Sequence, residues 1–312
     1  MVFFDRHGDS DLIKRRVGTF LKKYVGPILD SKVVVDFLNS NLVSESRTSA
    51  QGRIFWNAVP TPIRNSILMR VKSEVVLNLK MVDGVLRTSS GDDHYLSLIQ
   101  DGLGTWERTT QEFWKSQCEG AEVVIDVGAY LGVYSIIALK VAPRSRVIAL
   151  EPNPWTFDKL KENLLLNWQD ELELHNLAAG SSDAELQMIV SRDRLTSSGA
   201  SISDSDTNGL IAFKVKQVTL DQLTQKADLI KIDAEGWELP VLKGATQILR
   251  SSAPTLLLEI LNAKQFEELR GFLNHFGYKS IMFLGRRNEP PREVKVWSTP
   301  GNYAFQVTER KI

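Results

Sequence analysis

Cysteine is almost absent from this 312-residue chain. Cys118 stands alone, which excludes an intramolecular disulfide, and no group of Cys and His has the spacing of a zinc site. An excess of charge of one sign is also missing, because 38 Lys and Arg balance 38 Asp and Glu. The bulk electrostatics of a nucleic-acid binder are therefore lacking, and nucleic acid is not an expected partner. Long apolar runs are lacking too: the longest uncharged one, 127–139, falls short of the roughly 20 residues that span a bilayer. The first residues do not pair a basic stretch with an apolar one, and no Asn-x-Ser/Thr acceptor occurs. The expectation is a cytoplasmic protein without stable membrane insertion, its oligomeric state open.

What is present, at 43% hydrophobic residues, suits one large domain with an appendage. We divide the chain into a helical N-terminal extension over 1–70, a hairpin and helix leading into the core over 71–118, and a cofactor-binding domain over 119–312. In the extension, Leu12, Val17, Phe20 and Leu21 recur at helical spacing among Lys and Arg. We read this segment, 12–25, as a solvated basic face over a core stripe rather than a membrane-binding helix. A second short helix is expected over 33–42. Alternating Val75, Leu77 and Leu79, then Asp83-Gly84 and a second run to Thr88, form a hairpin signature. Short helices are expected over 95–100 and up to Cys118.

Beyond Glu119, strands over 123–127, 146–150, 172–177, 228–232, 255–258 and 278–284 alternate with helices over 133–141, 155–168, 239–249 and 263–276. Such βαβ units imply a mainly parallel sheet with helices on both faces. The last run, 303–307, has no helix before it and is expected to enter antiparallel. Residues 191–210, rich in Ser, Asp, Thr and Gly, form a long loop that is either a lid or a hairpin tip.

The chemistry concentrates at strand ends. Asp126 closes one strand, Gly128 and Gly132 follow, and a helix begins at once. The glycines let a ligand approach the backbone, and the helix start offers free N–H groups. The spacing is Gly-x-x-x-Gly, not the Gly-x-Gly-x-x-Gly of dinucleotide sites, and an acid here would repel a pyrophosphate but suit a cationic ligand. Glu151 closes the next strand, where a carboxylate accepts hydrogen bonds from ribose hydroxyls. Together they point to S-adenosylmethionine. A third cluster, Lys231-Ile-Asp233-Ala-Glu235, puts charge at the carboxyl end of an apolar strand, which is the ligand-binding end of open α/β sheets. Period-two geometry sends Lys231, Asp233 and, if the strand persists, Glu235 to one side.

These segments, with Leu150-Glu151-Pro152-Asn153, Leu242-Lys-Gly244-Ala245, Trp106-Glu107, Ser198-Gly-Ala-Ser201-Ile202 and Val218-Thr-Leu220-Asp221, resemble the FkbM-type S-adenosylmethionine-dependent methyltransferases over about 75–309. The resemblance implies a Rossmann-like class I methyltransferase fold: a seven-stranded, mostly parallel sheet with an antiparallel last strand and helices on both faces. It also implies that Asp126, Gly128 and Gly132 line the methionyl side of the cofactor, that Glu151 holds the ribose and that Asn176, Leu177 and Ala178 border adenine. Ala129, Tyr130, Pro152 and Asn153, in the same turns, are further expected cofactor-binding residues. Tyr130 stands where the family usually has Asn. Asp233 and Glu235 are the expected bases, with Asp233 also at the cofactor; Glu259 is a further candidate. His175 is read as structural. Carboxylates at 233, 235 and 259 could hold a hard cation, but Lys231 partly neutralises them and no metal is expected.

The implied function is methyl transfer to a hydroxyl of a small molecule, glycan or lipid. Two alternatives remain: a methyltransferase-like binding protein without appreciable turnover, and an NAD- or nucleotide-sugar-linked oxidoreductase on a similar sheet.

Overall fold

The computed structural model describes residues 75–79, 82–88, 92, 107–168, 170, 172–192, 195–196, 201–202, 209–285 and 289–307. The expected helices over 12–25, 33–42 and 95–100, and with them the 1–70 extension, lie outside the described residues.

The leading hairpin forms as its alternation implies. Strands β1 (Val75–Leu79) and β2 (Gly84–Thr88) pair antiparallel with Leu79 opposite Gly84. Helix α1 (Arg108–Cys118) follows. The βαβ alternation then runs β3 (Val123–Val127), α2 (Val133–Val141), β4 (Arg146–Leu150), α3 (Pro154–Asn167) and β5 (Glu173–His175). Every residue of β3 is buried, as expected of a central parallel strand covered on both faces. Helix α2 is apolar on nearly all sides because it lies between the sheet and an outer layer; Val133 to Leu139 are all buried. Trp114 of α1 closes that layer, its indole N–H donating to the Tyr134 carbonyl at 3.0 Å.

Between β5 and the next core strand the chain builds something the alternation did not predict. Strands β6 (Ala178–Ala179), β7 (Ala184–Ser191), β8 (Ser201–Ile202) and β9 (Leu210–Val218) form a separate four-stranded sheet in the order β6-β9-β7-β8. The 191–210 segment therefore joins the two strands of an antiparallel hairpin. The expected third strand, 172–177, is cut to three residues because the chain leaves for this side sheet at Ala178.

Helix α4 (Leu220–Leu223) leads into β10 (Leu229–Ile232). The expected helix over 239–249 is two helices, α5 (Glu238–Lys243) and α6 (Thr246–Ser251). The break falls at Gly244, where a Cβ would lie 1.9 Å from the Gly180 carbonyl oxygen, so the side sheet's backbone occupies the space a side chain would need. Strand β11 (Thr255–Ile260), α7 (Ala263–Asn274), β12 (Tyr278–Phe283), β13 (Arg292–Glu293) and β14 (Gly301–Val307) complete the core.

The main sheet runs β13-β12-β14-β11-β10-β3-β4-β5. The pairs from β5 to β11 are parallel, and β14 is antiparallel to both β11 and β12. This is the Rossmann-like class I methyltransferase fold with its antiparallel last strand. The expected seven strands become eight through the two-residue edge strand β13, which pairs with the end of β12. Alternate residues feed two cores. Leu229 and Leu257 face α1, α2 and α3, while Ile230, Ile232, Leu256 and Leu258 face α5, α6 and α7. The strand order reverses between β3 and β10, which places a crevice at their carboxyl ends. No helix among the described residues is long and apolar enough to cross a membrane.

Candidate active site

The loop after β3 turns over the end of β4. The N–H groups of Gly128 and Ala129 both donate to the Leu150 carbonyl, at 2.9 and 3.0 Å. Gly128 has φ +73°, and a Cβ there would sit 1.8 Å from the Asp233 carbonyl oxygen. The loops after β3 and β10 thus meet backbone to backbone, and only glycine allows it. Tyr130 also has a left-handed φ, +51°, and its N–H reaches Oε2 of Glu151 at 3.0 Å. The other oxygen of Glu151 accepts from the Asn153 N–H at 2.9 Å. Burial nevertheless pushes this carboxyl up to about 7, against the pull of those two N–H groups.

Around this turn lies a cavity of ≈ 380 Å³ at the carboxyl ends of β3, β4, β10 and β11. Of the residues expected at the cofactor, Gly128, Ala129, Tyr130, Glu151, Pro152, Leu177, Ala178 and Asp233 line it. Four others support it from outside. Asp126 is wholly buried; its Oδ2 accepts from the Ser135 hydroxyl at 2.6 Å, and its Oδ1 has no hydrogen-bond partner. Burial raises its pKa, opposed by Lys231 and Ser135. Gly132 (φ +93°) is a packing glycine, since a Cβ would meet Leu160 at 2.8 Å. Asn153 caps α3, accepting from the Trp155 N–H at 3.1 Å. Asn176 donates to the Glu151 and Pro152 carbonyls at 2.9 and 3.1 Å, pinning the β4 loop.

Strand β10 ends at Ile232, so the third member of the charged cluster does not continue its alternation. Asp233 faces the cavity, whereas Glu235 sits at the exposed rim with φ +51°. Lys231, only 3% exposed, places Nζ 2.8 Å from Oδ2 of Asp233 and 4.7 Å from the ring centre of Tyr134. Burial works against its charge, but Asp233, Asp126 and Glu107 outweigh that and raise its pKa. Glu259 comes from β11 beside Asp233. Burial first, then the neighbouring Asp233 carboxylate, hold its carboxyl well above the usual carboxylate range, and it is hydrogen-bonded to Asp233. Glu238 is buried behind the rim, accepting from the N–H groups of Ala234 (3.0 Å) and Gly236 (3.1 Å), which fixes the loop carrying Asp233. His175, at the end of β5, is not among the lining residues and lies 3.5 Å from Glu173.

Other lining residues carried weaker sequence signals. Glu107 caps α1 with φ 46°; it accepts from the Tyr134 hydroxyl at 2.5 Å and from Asn302 at 3.1 Å. Its Trp106-Glu107 motif was legible, but its contact with α2 was not. Met188 arrives on the unforeseen strand β7, and Trp237 from the turn before α5. The arrangement offers a buried carboxylate over a backbone cradle at one end, and paired carboxyls beside a fixed ammonium at the other.

Residues 126–280 match the family described as Methyltransferase FkbM domain. Among curated proteins, the chain is 31% identical over 150 residues to Hexuronic acid methyltransferase AglP of Haloferax volcanii, covering 43% of this chain and 54% of that protein. It is 24% identical over 196 residues to Methyltransferase 1 of Beauveria bassiana, covering 56% and 78%. The crystal structure of Methyltransferase FkbM from Methylobacillus flagellatus KT superposes with a TM-score of 0.39 at 16% identity, covering 68% of this chain and 53% of that one. The chain spans about half the length of the Haloferax protein. Its strand-end motifs lie within the matched segment, and residues 126–280 are thereby a methyltransferase FkbM domain.

Proposed function

We propose that this chain is an S-adenosylmethionine-dependent O-methyltransferase acting on a hydroxyl of a small molecule, glycan or lipid. The observation that carries the reading is the joining of Glu151 and Asp233, from strands far apart in sequence, in one cavity at the switch point of the sheet. The residues fit an adenosyl cofactor. Each oxygen of Glu151 takes a single backbone N–H, which leaves it lone pairs for ribose hydroxyls. Leu177, Ala178 and Met188 supply an apolar slot for a base, and the acidic remainder suits a sulfonium and an ammonium. When bound, S-adenosylmethionine supplies an electrophilic methyl group, so the protein's task is mainly alignment.

Asp233 is the base that takes the acceptor hydroxyl's proton. Lys231 lends it opposite charge at 2.8 Å, and Glu259, carrying a proton, donates to it and fixes its orientation. Glu235, at the rim, is the second carboxylate within reach of an entering acceptor. A relative named for hexuronic acid methylation supports a sugar-like acceptor.

Calorimetry with S-adenosylmethionine, S-adenosylhomocysteine and NAD tests the reading. Both adenosyl ligands should bind, NAD should not, and Glu151→Ala should weaken S-adenosylhomocysteine at least tenfold. No heat from either adenosyl ligand sinks the proposal.

A further inference from the structure

The cavity wall carries charge almost entirely of one sign. Among the described residues that line it, Glu107, Glu151, Asp233, Glu235 and Glu259 are acidic and Lys231 alone is basic. Lys231 is not offered to a ligand: it is 3% exposed, its ammonium lies 2.8 Å from Asp233, and the Tyr134 ring covers it. With one proton held between Asp233 and Glu259, and with Lys231 and a sulfonium set against the rest, the wall keeps a net negative charge. An anionic acceptor would enter against that field with no free cation among the described lining residues to receive it, and like-charge contact of this kind is strongly unfavourable in a partly desolvated site. Trp237, two residues on from Glu235, adds an aromatic ring to this lining, and such a surface suits the C–H face of an uncharged ring.

From this acidic wall we infer that the acceptor is an uncharged hydroxyl compound, and that the site discriminates against carboxylate- and phosphate-bearing acceptors. The inference rests on the methyl-transfer reading above and narrows it. It also separates this chain from the Haloferax relative, whose name specifies an acidic sugar.

The test uses two sugars that differ in one group, 4-nitrophenyl β-D-glucopyranoside and 4-nitrophenyl β-D-glucuronide. Binding of each to the full chain saturated with S-adenosylhomocysteine is measured by ligand-observed NMR titration, after calorimetry has shown that the cofactor product binds. The glucoside should bind at least tenfold more tightly. Removing the rim charge (Glu235→Gln) should narrow that ratio at least threefold by admitting the glucuronide. Equal or tighter binding of the glucuronide, or binding of neither sugar by the cofactor-loaded chain, overturns the inference. Absence of cofactor heat sinks instead the reading on which it rests.

Discussion

Glu151 sets burial against hydrogen bonding within one side chain. Its two N–H partners stabilise the carboxylate, yet burial dominates and raises the carboxyl from 4.5 to about 7. A carboxyl raised in the folded state makes folding take up a proton. Its contribution to stability is fully present below about 4.5 and is lost as the pH rises through about 7. At 1.36 kcal/mol per pH unit the loss amounts to about 3 kcal/mol. Urea unfolding at pH 4.5 and pH 8 should show the wild type losing about that much more stability than Glu151→Gln, and identical losses would contradict the assignment. Glu151 and Asp233, acids at the ends of apolar strands, both come to line the cavity, whereas Asp126 and Gly132 lie behind it. Both occupy motif positions, but one turns inward to Ser135 and the other makes room for Leu160. A motif records that a residue type is needed, without separating contact with a ligand from support of the loop that makes the contact.

At the scale of elements, α3 completes the leading hairpin. Asn163 and Asn167, one turn apart on the same helix face, act as a surrogate strand along β2. The Val85 N–H donates to Asn167 and the Arg87 N–H to Asn163, at 2.8 and 2.7 Å. The two amide groups donate back to the Val85 and Arg87 carbonyls. Asn163 also reaches the Leu131 carbonyl at 2.9 Å, tying the hairpin to the loop that shapes the cavity. Asn163→Ala leaves these partners unsatisfied and should destabilise the protein by about 2–3 kcal/mol in urea unfolding. A change near zero would show that solvent replaces the amide without penalty. Nothing in the helical periodicity of 155–168 announces this pairing, since two polar residues at i and i+4 read as an exposed stripe. The same limit applies to the α5–α6 break, which depends on the backbone of Gly180 in another sheet.

Across the whole molecule, Asp92 holds three parts together. Its carboxylate accepts from Thr88 at the end of β2 (3.0 Å), from Lys159 of α3 (2.7 Å) and from Thr196 beyond β7 (2.6 Å). Asn153 adds a bond to the Leu195 carbonyl at 2.7 Å, so the start of the 191–210 segment is tethered to the core beside Glu151. Asp92→Ala should destabilise the fold by about 2 kcal/mol, given that Lys159 is partly solvated. It should also speed amide hydrogen exchange at 195–196, and unchanged exchange there would mean that the tether does not hold the segment. The sequence by itself determined the strand–helix alternation of the main sheet, its antiparallel last strand and the acids at the strand ends. Those features follow from periodicity and backbone hydrogen bonding, which act over a few residues. Only the tertiary structure decided that Glu107, Glu151, Lys231, Asp233 and Glu259 share one cavity, that β7 brings Met188 to it, and that Asp126 and Gly132 stand behind it. The reason is that parallel pairing joins strands distant in sequence, and which side chains then face one another depends on register and on packing between layers, quantities no local stretch of sequence contains.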